Sequence, residues 1–514
     1  MADSDRSAPN ADPSALNAAR RTREWDELSR GSSVDLLVIG GGITGVGVAL
    51  DAVTRGLSVV LVDKHDLAFG TSRWSSKLAH GGLRYLASGN IGIARESAVE
   101  RGILMTRTAP HLVRAMPQLV PLLPQTSFFG KSLVRTGFLA GDVLRATART
   151  PSSVLPRSRA VSASRARELV PAVRQADLRG ALTAYDGQLI DDARLVVNIA
   201  RTAASFGARI LTRVGAYEVS GTSATLRDEL TGTEFLLRAR TVVNATGVWA
   251  DQVDPSITLR PSRGTHLVLD AKSLGNPTAA LTVPIPGETN RFVFALPAQL
   301  GRIYLGLTDE AAPGPVPDVP QASDAEVDFL LATVNTALEV PLTRADVLGT
   351  FAGLRPLLDT GGGSTADLSR NHAVVRSATD VITVVGGKLT TYRKMAEDAV
   401  DCAVEAGGLN AGPCRTRNLP LVGAASRAVL DKVRAPAGLV ARYGTEAEAV
   451  VGLGDDGLRQ VAGLDICAAE LAFAVSHEGA LDVDDLLDRR TRIGLVASDR
   501  ERALPEAEQA FRAV

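Results

Sequence analysis

Aromatic residues are scarce in this chain: three Trp, six Tyr and twelve Phe, 4% of 514 residues. A core for a chain of this length must then be built mainly from Ala, Val and Leu. Hydrophobic residues of all kinds reach 45%, an ordinary share for a globular protein with a real interior. Cysteine is rarer still. Cys402, Cys414 and Cys467 are odd in number, far apart, and form no C-x-x-C pair. That excludes a disulfide framework, argues against structural zinc, and fits a reducing, cytoplasmic compartment. Net charge is nearly missing as well, at −1 with a pI near 6.6. No charge imbalance points to nucleic acid, although a local basic patch can still meet a membrane. No run of 18 or more apolar residues occurs; the longest candidate, 36–53, is broken by glycines and Asp51, so no membrane-spanning helix is expected. Residues 1–33 mix Asp, Arg, Ser and Pro without an apolar h-region, and read as a polar, partly disordered arm rather than a secretory signal.

What is present begins with a clear local unit. Leu36, Leu37, Val38 and Ile39 form a short apolar run suited to a strand buried on both faces. Glycines follow, then Val46, Ala49, Leu50 and Val53 at helical spacing, Gly56 as a stop, and a second apolar run at 58–62. This is a βαβ unit within an α/β fold. Further strands are expected at 208–212, 241–244, 266–270, 291–296, 302–307 and 381–385, and helices at 192–206, 324–338 and 389–406. The Pro- and Gly-rich stretch 311–320 reads as a loop. Beyond Cys414 charged helical patterning takes over, which predicts a small α-helical domain there. The length of the chain agrees with two or three domains.

Gly40, Gly42 and Gly45 fit G-x-G-x-x-G between a strand and a helix, with Asp63 at the end of the second strand. The first glycine permits the tight turn, the second lets backbone approach a pyrophosphate, and the third allows close packing of helix on sheet. The helix N-terminus offers N–H groups to phosphate oxygens, and Asp63 is placed to accept from ribose hydroxyls. The glycines alone leave NAD and FAD both open. After Asp63 comes a stretch rich in hydroxyls and glycine, Gly70-Thr71-Ser72 and Ser75-Ser76-Lys77-Leu78-Ala79-His80-Gly81-Gly82, able to line a long cofactor.

The segment from Asp63 to Tyr85, with its S-S-K-L-x-H-G-G-L-R-Y core, resembles the membrane-associated, FAD-dependent glycerol-3-phosphate dehydrogenases. The similarity continues in order through Asp191-Asp192-Ala193-Arg194-Leu195, Val243-Asn244-Ala245-Thr246-Gly247 and Gly264-Thr265-His266. It resumes at Gly353-Leu354-Arg355-Pro356-Leu357 and Gly386-Gly387-Lys388-Leu389-Thr390-Thr391-Tyr392-Arg393-Lys394, then at Ser476-His477-Glu478 and 484–492. It spans about 35–495. The resemblance implies a glutathione-reductase-like FAD domain at 34–410 with an interleaved antiparallel-sheet substrate domain, mainly 80–190 and 255–360. A helical domain follows at 415–514. It also implies oxidation of sn-glycerol 3-phosphate to dihydroxyacetone phosphate, with hydride passing to FAD and electrons to a membrane quinone. On this reading FAD is held by Gly40, Gly42, Ile43, Thr44, Gly45 and Asp63; by Thr71, Ser72, Ser75, Ser76, Lys77, Leu78, His80, Gly81 and Gly82; by Thr246 and Gly247; and by Gly387, Lys388, Leu389 and Thr390. Two blocks depart from the family pattern: Leu307 precedes Thr308-Asp309 where a second threonine is usual, and Asn371 stands in Ser369-Arg370-Asn371-His372 where an acid is usual.

Within the matched blocks Arg84, Arg355 and Arg370 supply the planar forks that a phosphate needs, with Tyr85 and Lys388 beside them. His266 is the candidate base for the hydroxyl proton, and His80 packs beside the flavin. The catalytic set is therefore His266, Lys388 and Arg355. At 381–388 a second strand–glycine–helix start is able to stabilise negative charge on the reduced flavin. Residues 126–145, with Phe128, Phe129, Leu133, Val134, Phe138, Leu139 and Leu144 among Lys131, Arg135 and Arg145, fit peripheral binding to the inner face of the cell membrane. A homodimer is compatible with the sequence. Two rival functions remain at this point: an oxygen-using flavin oxidase of glycerol 3-phosphate or another hydroxy or amino substrate, and a non-catalytic flavin-fold binding protein, whose glycine fingerprint should be broken.

Overall fold

The computed structural model describes residues 12–82, 85, 89–123, 128–288, 291–359, 372–453 and 456–513. Two sheets organise it. The first holds the strand Ser33–Ile39 at its centre, flanked in parallel by Val59–Asp63 and by the C-terminal part of Glu234–Asn244. Arg209–Thr212 and Ile382–Gly386 extend it in parallel on the two sides, and His372–Arg376 adds an antiparallel edge. Leu36, Leu37 and Val38 are all fully buried, because helices cover one face and a second layer covers the other.

The first face meets the helices Ile43–Thr54, Asp192–Ser205 and Tyr392–Gly407; Leu36 and Val38 pack there against Val46, Leu50, Ile199 and Ala399. On the other face Leu37, Val60 and Val62 meet Leu226 and Leu237 of the antiparallel meander, and Trp25 and Leu28 of the helix Ala18–Ser29. Truncating Leu37 to Ala would open a cavity costing about 2–5 kcal/mol. The helix Ala18–Ser29 corrects the expectation of a polar arm. Arg21 reaches Asp228 at 2.7 Å, and Asn17 caps the helix through Arg20 N–H. Its two buried apolar residues, one turn apart, were too sparse a signal among the surrounding charges.

The second sheet has ten strands and is antiparallel except where Ala280–Pro284 runs parallel to Val113–Pro121. Its centre includes Ser262–Asp270, paired with Arg302–Gly306 on one side and Val347–Arg355 on the other. The helix Asp324–Asn335 covers its outer face, started by a capping box between Ser323 and Glu326. Observed strands agree with the expected ones to within a residue or two at most ends; Glu234–Asn244 is longer, since its N-terminal half leaves the parallel core to pair with the meander. Within 311–320 only Ala311 is in a strand, Glu310–Ala311. The helix expected from 389 begins as a tight turn, Leu389–Thr391, before Tyr392. The C-terminal region holds the helices Ala437–Tyr443, Ala468–His477 and Ala497–Ala513; Ala468–His477 packs against Ala497–Ala513 in one small core, which Leu300 also enters, and against Ala437–Tyr443 in another. Among the described residues no helix is long and apolar enough to cross a membrane, and no cluster of His, Cys, Asp or Glu is placed to hold a metal ion.

Candidate active site

The glycine turn has the shape a pyrophosphate needs. Gly40 has φ +109°, and a Cβ there would stand 2.6 Å from the Ala245 carbonyl oxygen. A Cβ on Gly45 would stand 1.8 Å from the Gly40 oxygen, so helix and strand touch backbone to backbone. Asp191 and Ser323 cap their helices, but the helix Ile43–Thr54 starts at Gly42 with no side-chain cap of its own. Its Ile43 N–H is taken by Ser72 Oγ at 2.8 Å, and Thr44 is half-buried in an otherwise buried first turn. Asp63 accepts from Gly41 N–H at 2.6 Å and from His65 N–H at 2.7 Å, one on each carboxylate oxygen. Each oxygen keeps a second acceptor position for a ribose hydroxyl. Burial pushes the Asp63 carboxyl up to about 6 despite these two bonds.

The loop after Asp63 threads between the two sheets and is tied at nearly every step. Thr71 Oγ1 donates to the Leu354 carbonyl at 2.6 Å, next to Arg355. Ser75 Oγ donates to Asp192 at 2.7 Å, and Ser76 Oγ lies 2.9 Å from His266 Nε2. Lys77, fully buried with φ +55°, ends on Asp192 at 3.0 Å and on the carbonyls of Arg73 and Ser75. Leu78 and Ala79 then join the second sheet opposite Gln188 and Gly187. Gly81 donates its N–H to Asp186 at 2.8 Å; a Cβ there would meet the Arg101 guanidinium at 2.2 Å, itself paired with Asp186. Gly82 has φ +77° against Ala94. Sequence reasoning marked this loop for its hydroxyls and glycines. It missed Asp186 and Arg101, which no motif announces, and it saw Asp192 only as part of a block.

At the substrate end His266 lies on the strand Ser262–Asp270, stacked 4.7 Å from Phe351 and held so close to Gly306 that a Cβ there would collide with the ring. Burial first, then the cations Lys77 and Arg355, hold its pKa well below the ordinary histidine value. The ring is neutral at neutral pH, and Nδ1 is buried without a partner among the described atoms. Arg355 ends the adjacent strand and donates to Asp309 and Ser262 at 3.0 Å and to the Thr308 carbonyl at 3.1 Å. Lys388 lies 3.5 Å over the Tyr85 ring and donates to Ser97 Oγ at 3.2 Å; His80 stacks on the same Tyr85 at 6.4 Å. Arg84 and Arg370 lie outside the described residues. Gly386 and Gly387 both have positive φ, and the buried Thr390 hydroxyl just after them has no partner among the described atoms. Thr246 Oγ1 donates to Asn244 at 2.7 Å, and Gly247 has φ +63°. The glycine N-cap, the glycine contacts and the orphaned Thr390 hydroxyl together fit a flavin dinucleotide.

The segment expected to face lipid is the helix Phe128–Thr147. The side chains of Phe128, Phe129, Lys131 and Leu133 lie outside the description. Phe138 and Leu144 are buried, Arg135 donates to Ser158 Oγ, and buried Arg145 donates to the Thr150 carbonyl, so these basic groups serve the fold. Leu139 and Val143, one turn apart, are exposed, as is Ile91 of the neighbouring helix Ile91–Ile103.

The C-terminal motifs turn out to be ionic. Asp66, buried three residues after Asp63, receives Arg489 at 2.6 Å and both Nη atoms of Arg490 at 2.8 Å. Those guanidinium groups hold its carboxyl well below the usual range against the effect of burial. Arg194 forks onto Glu478, Arg492 donates to the Arg73 carbonyl and pairs with Asp191, and Arg213 meets Asp482 and Asp485. This lattice clasps the cofactor loop from behind.

A family model described as FAD dependent oxidoreductase matches residues 35–393, and one described as the C-terminal domain of alpha-glycerophosphate oxidase matches 414–513. Fold and site therefore define an FAD-dependent oxidoreductase with a helical C-terminal region. Glycerol-3-phosphate dehydrogenase 1 of Mycobacterium tuberculosis is 64% identical over 505 residues, covering 96% of this chain and 98% of that protein. The mitochondrial glycerol-3-phosphate dehydrogenase of Arabidopsis thaliana is 34% identical over 545 residues, 95% of this chain and 84% of that one. The chain belongs to the FAD-dependent glycerol-3-phosphate dehydrogenase family. A solved glycerol-3-phosphate dehydrogenase from Bacillus halodurans, complexed with FAD, superposes with TM-score 0.73 at 27% identity, over 96% of this chain and 94% of that one. The L-alpha-glycerophosphate oxidase of Mycoplasma pneumoniae, at 16% identity and TM-score 0.58 over 76% of this chain and 99% of that one, shares the fold.

Proposed function

We propose that this protein oxidises sn-glycerol 3-phosphate to dihydroxyacetone phosphate and delivers the electrons to a quinone at the inner membrane surface. The observation that carries the reading is the pairing of Ser262–Asp270 with Val347–Arg355. It sets buried His266 opposite Phe351 and Arg355 opposite Ser262, four residues along the same strand, and both strands are tied to the loop that lines the cofactor, by Ser76 to His266 and by Thr71 to the Leu354 carbonyl. The names of the relatives supply the substrate.

When bound, FAD supplies the acceptor for the hydride that leaves C2 with two electrons. The chain supplies the rest. Gly40, Gly42, Ile43, Thr44 and Gly45 would hold the pyrophosphate, and Asp63 the adenosine ribose. The turn from Gly387 through Thr390 would face the flavin, with Lys388 adding positive charge. Arg355, with Tyr85, Lys388 and the undescribed Arg84 and Arg370, would orient the phosphate. His266 takes the C2 hydroxyl proton as the C–O bond becomes a carbonyl. If Nε2 carries the ring hydrogen and donates to Ser76, the lone pair of Nδ1 is the acceptor; the depressed pKa keeps that lone pair available at neutral pH. Once protonated the ring faces Lys77 and Arg355, so the proton is soon passed on.

The exposed pair Leu139 and Val143, and exposed Ile91 on the neighbouring helix, support peripheral contact with lipid, where a quinone dissolves. The deciding experiment is anaerobic bleaching of the flavin by glycerol 3-phosphate against glycerol, lactate and amino acids, then turnover with a soluble quinone against oxygen. Bleaching by glycerol as readily as by its phosphate would refute the substrate; stoichiometric peroxide at quinone-matching rates, with no sedimentation on anionic liposomes, would make the protein a cytosolic oxidase.

A further inference from the structure

Arg355 is held in a seat that the reading above does not explain. The side chain passes over Gly264 of the neighbouring strand, where a Cβ would stand 2.3 Å from Nη2. Nη1 donates to both Asp309 Oδ1 and Ser262 Oγ at 3.0 Å, and Ser262 Oγ donates in turn to the same Asp309 oxygen at 2.5 Å. The three groups close a triangle on one edge of the guanidinium. The Asp309 side chain is 6% exposed, so its charge is spent largely inside the protein. The residue before it is anchored separately. Thr308 Oγ1 donates to Glu326 Oε1 at 2.7 Å and accepts from Thr265 N–H at 3.0 Å, while its carbonyl receives Arg355 Nη2 at 3.1 Å. Glu326 is the third residue of Asp324–Asn335 and partner of Ser323 in its capping box, and its other oxygen is already taken by Ser323 and Arg263. A helix terminus, a strand and a loop thus converge on one arginine.

We infer that Asp309, seated by Ser262 and, through Thr308, by Glu326, is the positioning residue that fixes the plane of the Arg355 guanidinium for the substrate's phosphate. The inference rests on the reading that Arg355 meets that phosphate. Two effects of a carboxylate at this place oppose each other. It competes with phosphate for the guanidinium's charge, and it spares the binding step the cost of ordering a long side chain. Orientation wins here because both terminal nitrogens are already aligned by acceptors, and without Asp309 the contacts of Nη1 and Nη2 named here reduce to neutral oxygens.

The test is a double-mutant cycle in the FAD-loaded enzyme. Asp309→Asn should raise KM for glycerol 3-phosphate about tenfold, the low end for a lost charge-assisted hydrogen bond, with kcat and FAD content near those of the parent. Arg355→Lys should raise KM by about 10–100-fold. In the Arg355→Lys background, Asp309→Asn should add less than about twofold, because a residue that acts only through another has nothing left to orient. Ser262→Ala, a milder change in the same triangle, should move KM the same way by less, and serves if Asp309→Asn does not fold. An unchanged or lower KM in Asp309→Asn, or full additivity in the cycle, would overturn the inference while leaving Arg355 as a ligand. An unchanged KM in Arg355→Lys would instead sink the assignment of Arg355, and this inference with it.

Discussion

Replacing Gly45 with Ala sets two known effects against each other, and the geometry decides between them. In the interior of a helix Gly→Ala gains up to about 1 kcal/mol of intrinsic propensity. Against that, the new Cβ would stand 1.8 Å from the Gly40 carbonyl oxygen, about half the distance of an ordinary contact. Gly40 has little room to retreat, since its own Cα faces the Ala245 carbonyl, where a Cβ would lie at 2.6 Å. Overpacking of this kind costs about 1–3 kcal/mol, so the variant should lose net stability. It should lose more in cofactor affinity, because the first turn of Ile43–Thr54 has to move away from the strand that positions it; each ~1.4 kcal/mol there is tenfold in FAD dissociation. Gly92→Ala is the control. It lies in the first turn of Ile91–Ile103 with nothing within 4 Å of an added Cβ, and should be neutral or gain up to about 1 kcal/mol. The assay is the flavin-to-protein absorbance ratio of each purified protein and its melting temperature with excess FAD. A Gly45→Ala protein that retains full FAD and melts no lower than its parent would refute the argument.

His266→Ala should slow flavin reduction by glycerol 3-phosphate about 10²–10⁴-fold with binding largely kept; a fall of under about fivefold in single-turnover reduction would pass the proton to another group. Because burial and two cations lower the pKa of His266, the acid limb of that rate should lie below the ordinary histidine range, so acidifying from pH 7.5 to 6.5 should leave the rate nearly unchanged. His111 is buried with Asn198 at 3.3 Å, and burial lowers its pKa to about 3. A folded pKa below the unfolded value contributes stability above pH 6.5 that is lost as pH falls, here through 6.5 toward 3. Urea unfolding should show about 2 kcal/mol lost between pH 6.5 and 5 from this group, and His111→Gln should flatten that slope. Arg490→Met leaves Asp66 with one buried partner and should cost about 3–5 kcal/mol in the same urea assay.

The βαβ unit was legible because both of its signals are local in sequence: a run of apolar residues buried on two faces, and glycines at a fixed short spacing between strand and helix. Strands such as Ser262–Asp270 and Arg302–Gly306 were legible for the same reason. The seats of the functional side chains were not. Asp309 meets Arg355 across 46 residues, and Asp186 meets Gly81 across 105. A lone aspartate in a loop or strand has no periodicity to betray its partner. Arg135 and Arg145, expected to meet lipid, turned inward for a related reason. Composition shows that Arg135 and Arg145 flank an apolar face, but not that Ser158 and the Thr150 carbonyl wait for them inside the fold.

The clasp behind the cofactor loop also fixes an order of events during synthesis. Asp66 finds Arg490 only 424 residues later. A ribosome adding ~5–20 residues per second needs roughly 20–85 s to bridge that gap. During that interval the remaining parallel strands, Arg209–Thr212, Glu234–Asn244 and Ile382–Gly386, are made, yet Asp66 still lacks the arginines that neutralise it in the finished fold. The flavin loop therefore acquires its final backing only once Arg489 to Arg492 have emerged, so a nascent chain stalled before them would leave the Asp66 end of that loop unlatched.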